Sequence, residues 1–289
     1  MSNELPLIIV NNVQYRYPSG TKALKKINLN VNKGELIGIM GRNGAGKTTL
    51  IRTFNGLIRP SKGNVYIDGE NIKSKNIGIV SKKVGIIFQN PNHQVFSNTV
   101  EEEIKFSLKN LNLSKEEIQN RTNDILKMFN LEKYRERSPL NLSGGETKKL
   151  AFASIFCRDP DILVFDEPTL GQDAKEIDFF INLIKKEKNN GKTIIIVTHN
   201  VEFVMEHIPR TILMADGKII ADGPTKIILT NQFLVEKSSL VLPQIYQFNN
   251  KLNSIGIQSS QSICSKKEMI KFLVNYLKNK SINFQGENN

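Results

Sequence analysis

Several groups of residues in this chain have the types and spacing that phosphate chemistry needs. Gly41-Arg42-Asn43-Gly44-Ala45-Gly46-Lys47-Thr48-Thr49 fits G-x-x-x-x-G-K-[ST]. Its glycines let the backbone curl so that successive N–H groups face one anion, and the helix that follows adds the partial positive charge of its N-terminus. Lys47 is placed to reach outer phosphates, and the Thr48 hydroxyl to ligate Mg²⁺. Downstream, the apolar run Ile162-Leu163-Val164-Phe165 ends in Asp166-Glu167. The first acid can hold Mg²⁺ directly or through its waters, and the second can take a proton from an attacking water. Thr193 to Val197 is another apolar run, ending in Thr198-His199. A histidine at such a tip can donate to a γ-phosphate or hold the water. A third cluster, Leu142-Ser143-Gly144-Gly145-Glu146, puts a capping serine and two glycines at a helix start. Glycines there weaken a helix by roughly 1 kcal/mol each unless something needs bare backbone. One chain rarely needs two γ-phosphate cradles, but two chains paired head to tail, each completing the other's site, would use both. The combination predicts a site that binds and hydrolyses a nucleoside triphosphate.

The elements around these residues predict an α/β fold. Glu35 to Met40 reads as a buried strand before the glycine loop, and Thr48 to Asn55 as a helix with Leu50, Ile51 and Phe54 inward. Leu7 to Tyr17 and Ala23 to Val31, with the turn Pro18-Ser19-Gly20, read as an antiparallel layer. Strands follow at Gly63 to Ile67 and at Val84 to Phe88, the latter ending at Gln89. Residues 92–141 read as a helical insertion, with one helix capped by Thr99 and running to Leu108. A second, with a Ser114–Glu117 capping box, runs to Asn130. Further helices are predicted from Thr147 to Cys157 and, after a turn at Asp173, from Ala174 to Lys188. Arg210 to Ala215 and Lys218 to Ala221 form a hairpin across Asp216-Gly217. Composition shifts after Gly223, where eight Lys face three Glu and no Asp. The chain therefore divides into a domain over 1–222 and an accessory segment over 223–289. The latter has helices at Pro224–Leu229, Pro243–Leu252 and Lys266–Leu277 and a loose polar tail at Asn279–Asn289. Tyr17 lies 24 residues before Gly41 and is open to two readings, a ring stacked on a purine or a core or edge tyrosine. His93 and His207 read as surface or packing residues.

The remaining composition narrows the setting. No apolar run approaches the roughly 18 residues of a membrane span, and the start Met1-Ser2-Asn3-Glu4 lacks a signal segment, so secretion is not expected. Two cysteines, Cys157 and Cys264, fit a reduced compartment. The net charge of +12 brings no Arg/Lys stripe interleaved with aromatics, so no nucleic-acid partner is expected.

Taken in order, the glycine loop, Gln89, Leu-Ser-Gly-Gly-Glu at 142 to 146, Asp166-Glu167, Asp173 and His199 resemble an ABC-transporter ATPase over roughly Leu7 to Gly223. The resemblance implies a RecA-like P-loop NTPase core with an antiparallel β layer, a helical subdomain and a small C-terminal helical segment. It implies ATP and Mg²⁺, with Tyr17 stacking on adenine, residues Gly41 to Thr49 holding the phosphates, and Gln89 sensing γ-phosphate and metal. Asp166 would be the Walker B acid, Glu167 the base, Asp173 the D-loop residue and His199 the switch histidine. Ser143, Gly144, Gly145 and Glu146 would close on the ATP of a second ATPase chain, identical or related. Phe88-Gln89-Asn90-Pro91-Asn92-His93-Gln94-Val95-Phe96, Gly223-Pro224 and Leu240-Val241-Leu242-Pro243 resemble more narrowly the ATPases of energy-coupling-factor importers of cobalt, nickel or vitamins. Those pair with a transmembrane coupling protein and a substrate-binding membrane component, at the cytoplasmic face of the cell membrane. Chromosome- and ribosome-type ABC ATPases, the alternative, carry a long coiled-coil insertion or two domains in tandem. Here only 53 positions separate Gln89 from Leu142. Glu146 replaces the commoner Gln, Thr147-Lys148-Lys149 follows it, and Gln172-Asp173-Ala174 departs from the usual Leu-Asp-Pro.

Overall fold

A computed structural model describes residues 5–259 and 263–286 of the protein. Its strands are β1 (Ile8–Arg16), β2 (Lys22–Val31), β3 (Leu36–Met40), β4 (Lys62–Ile67), β5 (Glu70–Asn71), β6 (Val84–Ile87), β7 (Ile162–Asp166), β8 (Thr193–Val197), β9 (Arg210–Ala215) and β10 (Lys218–Pro224). Its helices are α1 (Lys47–Phe54), α2 (Ile77–Lys83), α3 (Val100–Leu108), α4 (Lys115–Met128), α5 (Gly144–Phe156), α6 (Ala174–Asn189), α7 (Val201–His207), α8 (Thr225–Leu229), α9 (Gln232–Lys237), α10 (Gln244–Ser254) and α11 (Lys266–Gly286). One sheet is antiparallel in the order β2-β1-β4-β5, and the other runs β10-β9-β3-β8-β7-β6. In the second sheet β9, β3, β8, β7 and β6 are parallel, and only the β9–β10 hairpin is antiparallel.

Apolar runs without polar alternation become strands buried on both faces, because helices or a second sheet cover each side. Strand β8 shows this directly. Ile194 and Ile196 join a core with α3 to α6, while Ile195 and Val197 join a core with α1 and the antiparallel sheet. Strand β7 divides the same way, Leu163 and Phe165 against Ile162 and Val164. The inserted helices α3 and α4 are held to the sheet through Phe129, which meets Phe152, Phe156 and Phe179 edge-on, and Phe152 in turn meets Phe165 of β7.

Some boundaries differ from the sequence expectation. Helix α5 begins at Gly144 and not Thr147, because Ser143 itself caps it and the two glycines lie inside its first turn. Helix α4 stops at Met128, since Asn130 adopts φ 54° just beyond the end, a conformation that terminates helices. Helices α2, α7 and α9, each of six or seven residues, were too short to show a period. Helix α11 continues through 279–286, in place of the loose tail that the polar composition predicts; residues 287–289 lie outside the described residues.

After Gly223, Ile228 and Leu229 of α8 enter the helix-side core, and Leu234 and Leu240 pack against it. Helices α10 and α11 form a separate small cluster around Leu252, Ile263 and Met269. No helix among the described residues is long and apolar enough to cross a membrane.

Candidate nucleotide site

Because β3, β8, β7 and β6 are parallel neighbours, their C-terminal tips share one edge of the sheet. That edge is where ligands bind in open α/β folds. The glycine loop leaves β3, Thr198-His199 leave β8, Asp166 ends β7, and Gln89 follows β6. They meet at a cavity of about 710 Å³ whose walls include Tyr17, Asn43, Gly44, Gly46 to Thr49, Gln89, Asp166, Glu167 and His199.

The loop is wound tightly. Gly46 sits at φ 100°, and a Cβ there would lie 2.5 Å from the Ala23 carbonyl oxygen, so only glycine fits. The Lys47 ammonium is buried in the loop and donates to the carbonyls of Gly41 at 2.6 Å and Arg42 at 3.0 Å. Burial lowers its pKa, while Glu167 and Asp166 act the other way. Arg42 turns outward to pair with Asp216 in the β9–β10 turn, and its backbone N–H donates to the Ser238 carbonyl at 3.1 Å. The C-terminal segment thus touches the loop, a contact no spacing rule reveals.

The Thr48 hydroxyl donates to Asp166 Oδ2 at 2.9 Å. Burial raises the Asp166 pKa, and the Thr48 hydrogen bond opposes that. Glu167 lies at φ 52° with its N–H bonded to the Val197 carbonyl at 2.8 Å. Its carboxylate is gripped on both oxygens. His199 Nδ1 is 2.7 Å from Oε1, and the Thr198 hydroxyl donates to Oε2 at 3.0 Å. Thr198, fully buried, was missed as a site residue; its one signal is a hydroxyl closing an otherwise apolar strand beside His199. Tyr17 is half-buried, edge-on to Tyr15, with its hydroxyl 2.9 Å from Thr49 Oγ1. His207 packs near Phe203, and the side chain of His93 lies outside what the structure describes.

Ser143 to Glu146 and Asp173 do not line this cavity. Ser143 and Glu146 form a reciprocal capping box, Glu146 Oε2 accepting the Ser143 N–H at 2.8 Å. Hydrogen bonds from Tyr134 and Ser143 hold the Glu146 carboxyl at about 2, below the ordinary 4.5. Asp173 caps α6 in the same manner with Glu176. The two caps are adjacent, since a Cβ on Gly145 would fall 2.5 Å from Glu176 Oε1.

The family model for ABC transporter matches residues 24–170. The chain is 39% identical to the energy-coupling factor transporter ATP-binding protein EcfA of Methanocaldococcus jannaschii, over 95% of this chain and 99% of that protein. It belongs to the ABC-transporter ATPase family. EcfA of Methanosphaera stadtmanae is 41% identical over 86% of this chain and 90% of its own. A putative ABC transporter ATP-binding protein of Methanosarcina acetivorans is 38% identical, and this chain spans 42% of its length. Among solved structures, cbiO1 of Clostridium perfringens, part of the transporter complex cbiONQ, superposes with a TM-score of 0.70 at 34% identity, over 84% of this chain and 98% of that one. A dimeric ATP-binding cassette in a post-hydrolysis state bound to ADP and Pi does so at 0.69 and 30% identity, over 75% of this chain and 98% of that one. The ABC ATPase described here is accordingly an ATP-binding and ATP-hydrolysing subunit that powers membrane transport.

Proposed function

We propose that this chain works as one half of a paired ATPase driving an energy-coupling-factor importer of a transition-metal ion or vitamin. It would sit at the cytoplasmic face of the membrane, on a transmembrane coupling protein with a substrate-binding membrane component. The observation that carries the reading is the division of its phosphate-binding features. Lys47, Thr48, Asp166, Glu167 and His199 share one cavity, whereas the capped N-terminus of α5 lies outside it, with Ser143 and Gly144 exposed and Gly145 and Glu146 half-buried. A second chain placed head to tail uses that N-terminus to close over its own nucleotide.

Within one site, Gly41 to Thr49 cradle the phosphates, Tyr17 stacks on adenine, and Glu167 takes the proton of the attacking water. His199 and Thr198 orient that carboxylate until the γ-phosphate draws His199 toward itself. The donor set fits Mg²⁺, because Thr48, Asp166 and Gln89 offer only oxygen and a hard cation needs one or two carboxylates beside the phosphates. Among the described residues no cluster of three or more His, Cys, Asp or Glu offers a softer metal a home. The bound ion would neutralise charge on the β- and γ-phosphates.

Residues 1–222 form the cassette and 223–289 the accessory segment in this account, with the segment's first part packed as a brace against the cassette core. Recovery of the tagged full-length chain from membranes should bring down a second ATPase chain and a polytopic membrane protein, with ATP hydrolysis lost on chelating Mg²⁺. Recovery with DNA or ribosomes in place of membrane proteins would contradict the reading.

A further inference from the structure

A buried cation outside the cavity connects the two phosphate-binding features. Lys148 stands in the first turns of α5, two residues after Glu146, and is only 9% exposed. Its ammonium donates to the Pro168 carbonyl at 2.5 Å and reaches the Leu170 carbonyl at 3.5 Å. Those carbonyls belong to the turn that follows Glu167. The Leu170 N–H closes that turn on the Glu167 carbonyl at 3.3 Å, and Gly171 at φ 70° ends it. Lys148 also lines a cavity of about 130 Å³ with Phe152, Phe179, Phe180 and Glu176.

A charge in such a place is costly. Taking an ammonium out of water destabilises a fold unless hydrogen bonds replace hydration, and an apolar side chain of the same length would avoid that cost. Burial accordingly lowers the Lys148 pKa, with Glu176 partly offsetting it. What the ammonium gains is a hold on two carbonyls of a short turn whose first residue, Glu167, lies at φ 52°. The other end of the same helix turn carries Ser143 to Glu146, and Gly145 brings it against Glu176 in the first turn of α6.

We propose that Lys148 is a positioning residue that couples the two nucleotide sites of the paired ATPase: it ties the turn carrying Glu167, the base of its own site, to the helix whose N-terminus closes over the partner's nucleotide. The inference rests on the base role of Glu167 and on the shared site proposed above. A small shift of α5 as the pair closes moves the Pro168–Leu170 carbonyls with it, and Glu167 follows. Rigid contacts of this kind pass small displacements between sites.

The test compares Lys148→Met, Lys148→Arg and Glu167→Gln in the full-length chain with its pairing partner, using Mg²⁺ and ATP. Lys148→Met should lower kcat about 10- to 100-fold, the scale of a misplaced reacting group. ATP affinity of the separated chain should stay at its wild-type value, and cooperativity of turnover with ATP concentration should flatten. Lys148→Arg, which can donate to both carbonyls, should restore most of the turnover. Unchanged kcat in Lys148→Met overturns the proposal. So does a loss that Arg fails to restore, or one matched by an equal loss of single-chain ATP affinity, since either marks a merely structural lysine. If Lys148→Met does not fold, Lys148→Gln is judged by the same outcomes. Retained turnover in Glu167→Gln would instead remove the base role beneath the proposal, whatever Lys148 does.

Discussion

Replacing Thr198 with valine isolates one hydrogen bond to the proposed base with almost no change of shape. The Thr198 hydroxyl donates to Glu167 Oε2 at 3.0 Å in a fully buried position, and it also accepts the Asn200 N–H at 3.1 Å. The second bond is cheap to lose, because Asn200 is exposed and water can take its place. The first is a bond to a carboxylate out of water, a class worth about 1.5–3 kcal/mol. At about 1.4 kcal/mol per tenfold in rate, its loss should reduce kcat by about 10- to 150-fold if the bond holds Glu167 in place for proton removal. Thr198 does not line the nucleotide cavity, so KM for ATP should hold steady. Steady-state phosphate release from the full-length chain reads both parameters, with Thr198→Ser as the control that keeps the hydroxyl. His199 grips the other oxygen, so losses at Thr198 and His199 should not add. Wild-type kcat in Thr198→Val, or a raised KM with kcat intact, would refute this role for the hydroxyl.

Other outcomes follow from the same geometry. Lys47→Ala removes the ammonium poised at the Gly41 and Arg42 carbonyls, and charge-assisted bonds worth about 1.5–3 kcal/mol should cost about 10- to 150-fold in ATP affinity by titration; unchanged affinity would place the nucleotide elsewhere. Burial pushes Glu101 upward, but Lys105, Gln119 and Arg135 together hold it at about 2, below the ordinary 4.5. A depressed acid stabilises the fold above its unfolded pKa and loses that contribution as pH falls through the folded one. Glu101→Gln should therefore lower the denaturant midpoint at pH 7, with the gap to wild type closing from about pH 4.5 toward 2; a gap that stays constant would show that the charge is not responsible. Truncation after Pro243 removes α10 and α11 but keeps Ser238 on the Arg42 N–H, so ATP affinity should survive it. Truncation before Gln232 should weaken binding, and equal affinity in both truncations would show that the brace on the loop is idle.

Much of the site was open to view in the sequence because its parts are local. A glycine loop between a strand and a helix, two acids ending an apolar run and a histidine ending another all follow from short stretches whose periodicity is strong. Parallel pairing then brings the strand tips together without further information. What escaped is what depends on distant pairs. Nothing near Glu167 announces that Thr198 and His199 will clasp it, since β7 and β8 meet only in the sheet. In the sequence Lys148 is only an unusual residue after Glu146, and its role comes from the fold, which sets α5 against the Pro168–Leu170 turn. The two glycines of Ser143 to Glu146 suggested a bare helix start, yet Gly145 also answers to the close approach of Glu176, thirty-one residues on. Short helices such as α7 gave too few residues for a period to emerge.

The shared-site mechanism is tested most directly by the mass of the Glu167→Gln protein with and without ATP. That variant keeps the shape of the site but cannot accept the water's proton, so it should hold ATP and hydrolyse it slowly. Ligand bound only by the paired state stabilises the pair by mass action. Sedimentation with Mg²⁺ and saturating ATP, of the chain alone and mixed with any ATPase chain recovered with it, should show a dimer that disappears without nucleotide. Adding Ser143→Phe should return monomers that still bind ATP at Lys47. A Glu167→Gln protein that stays monomeric with ATP in every pairing would contradict the account.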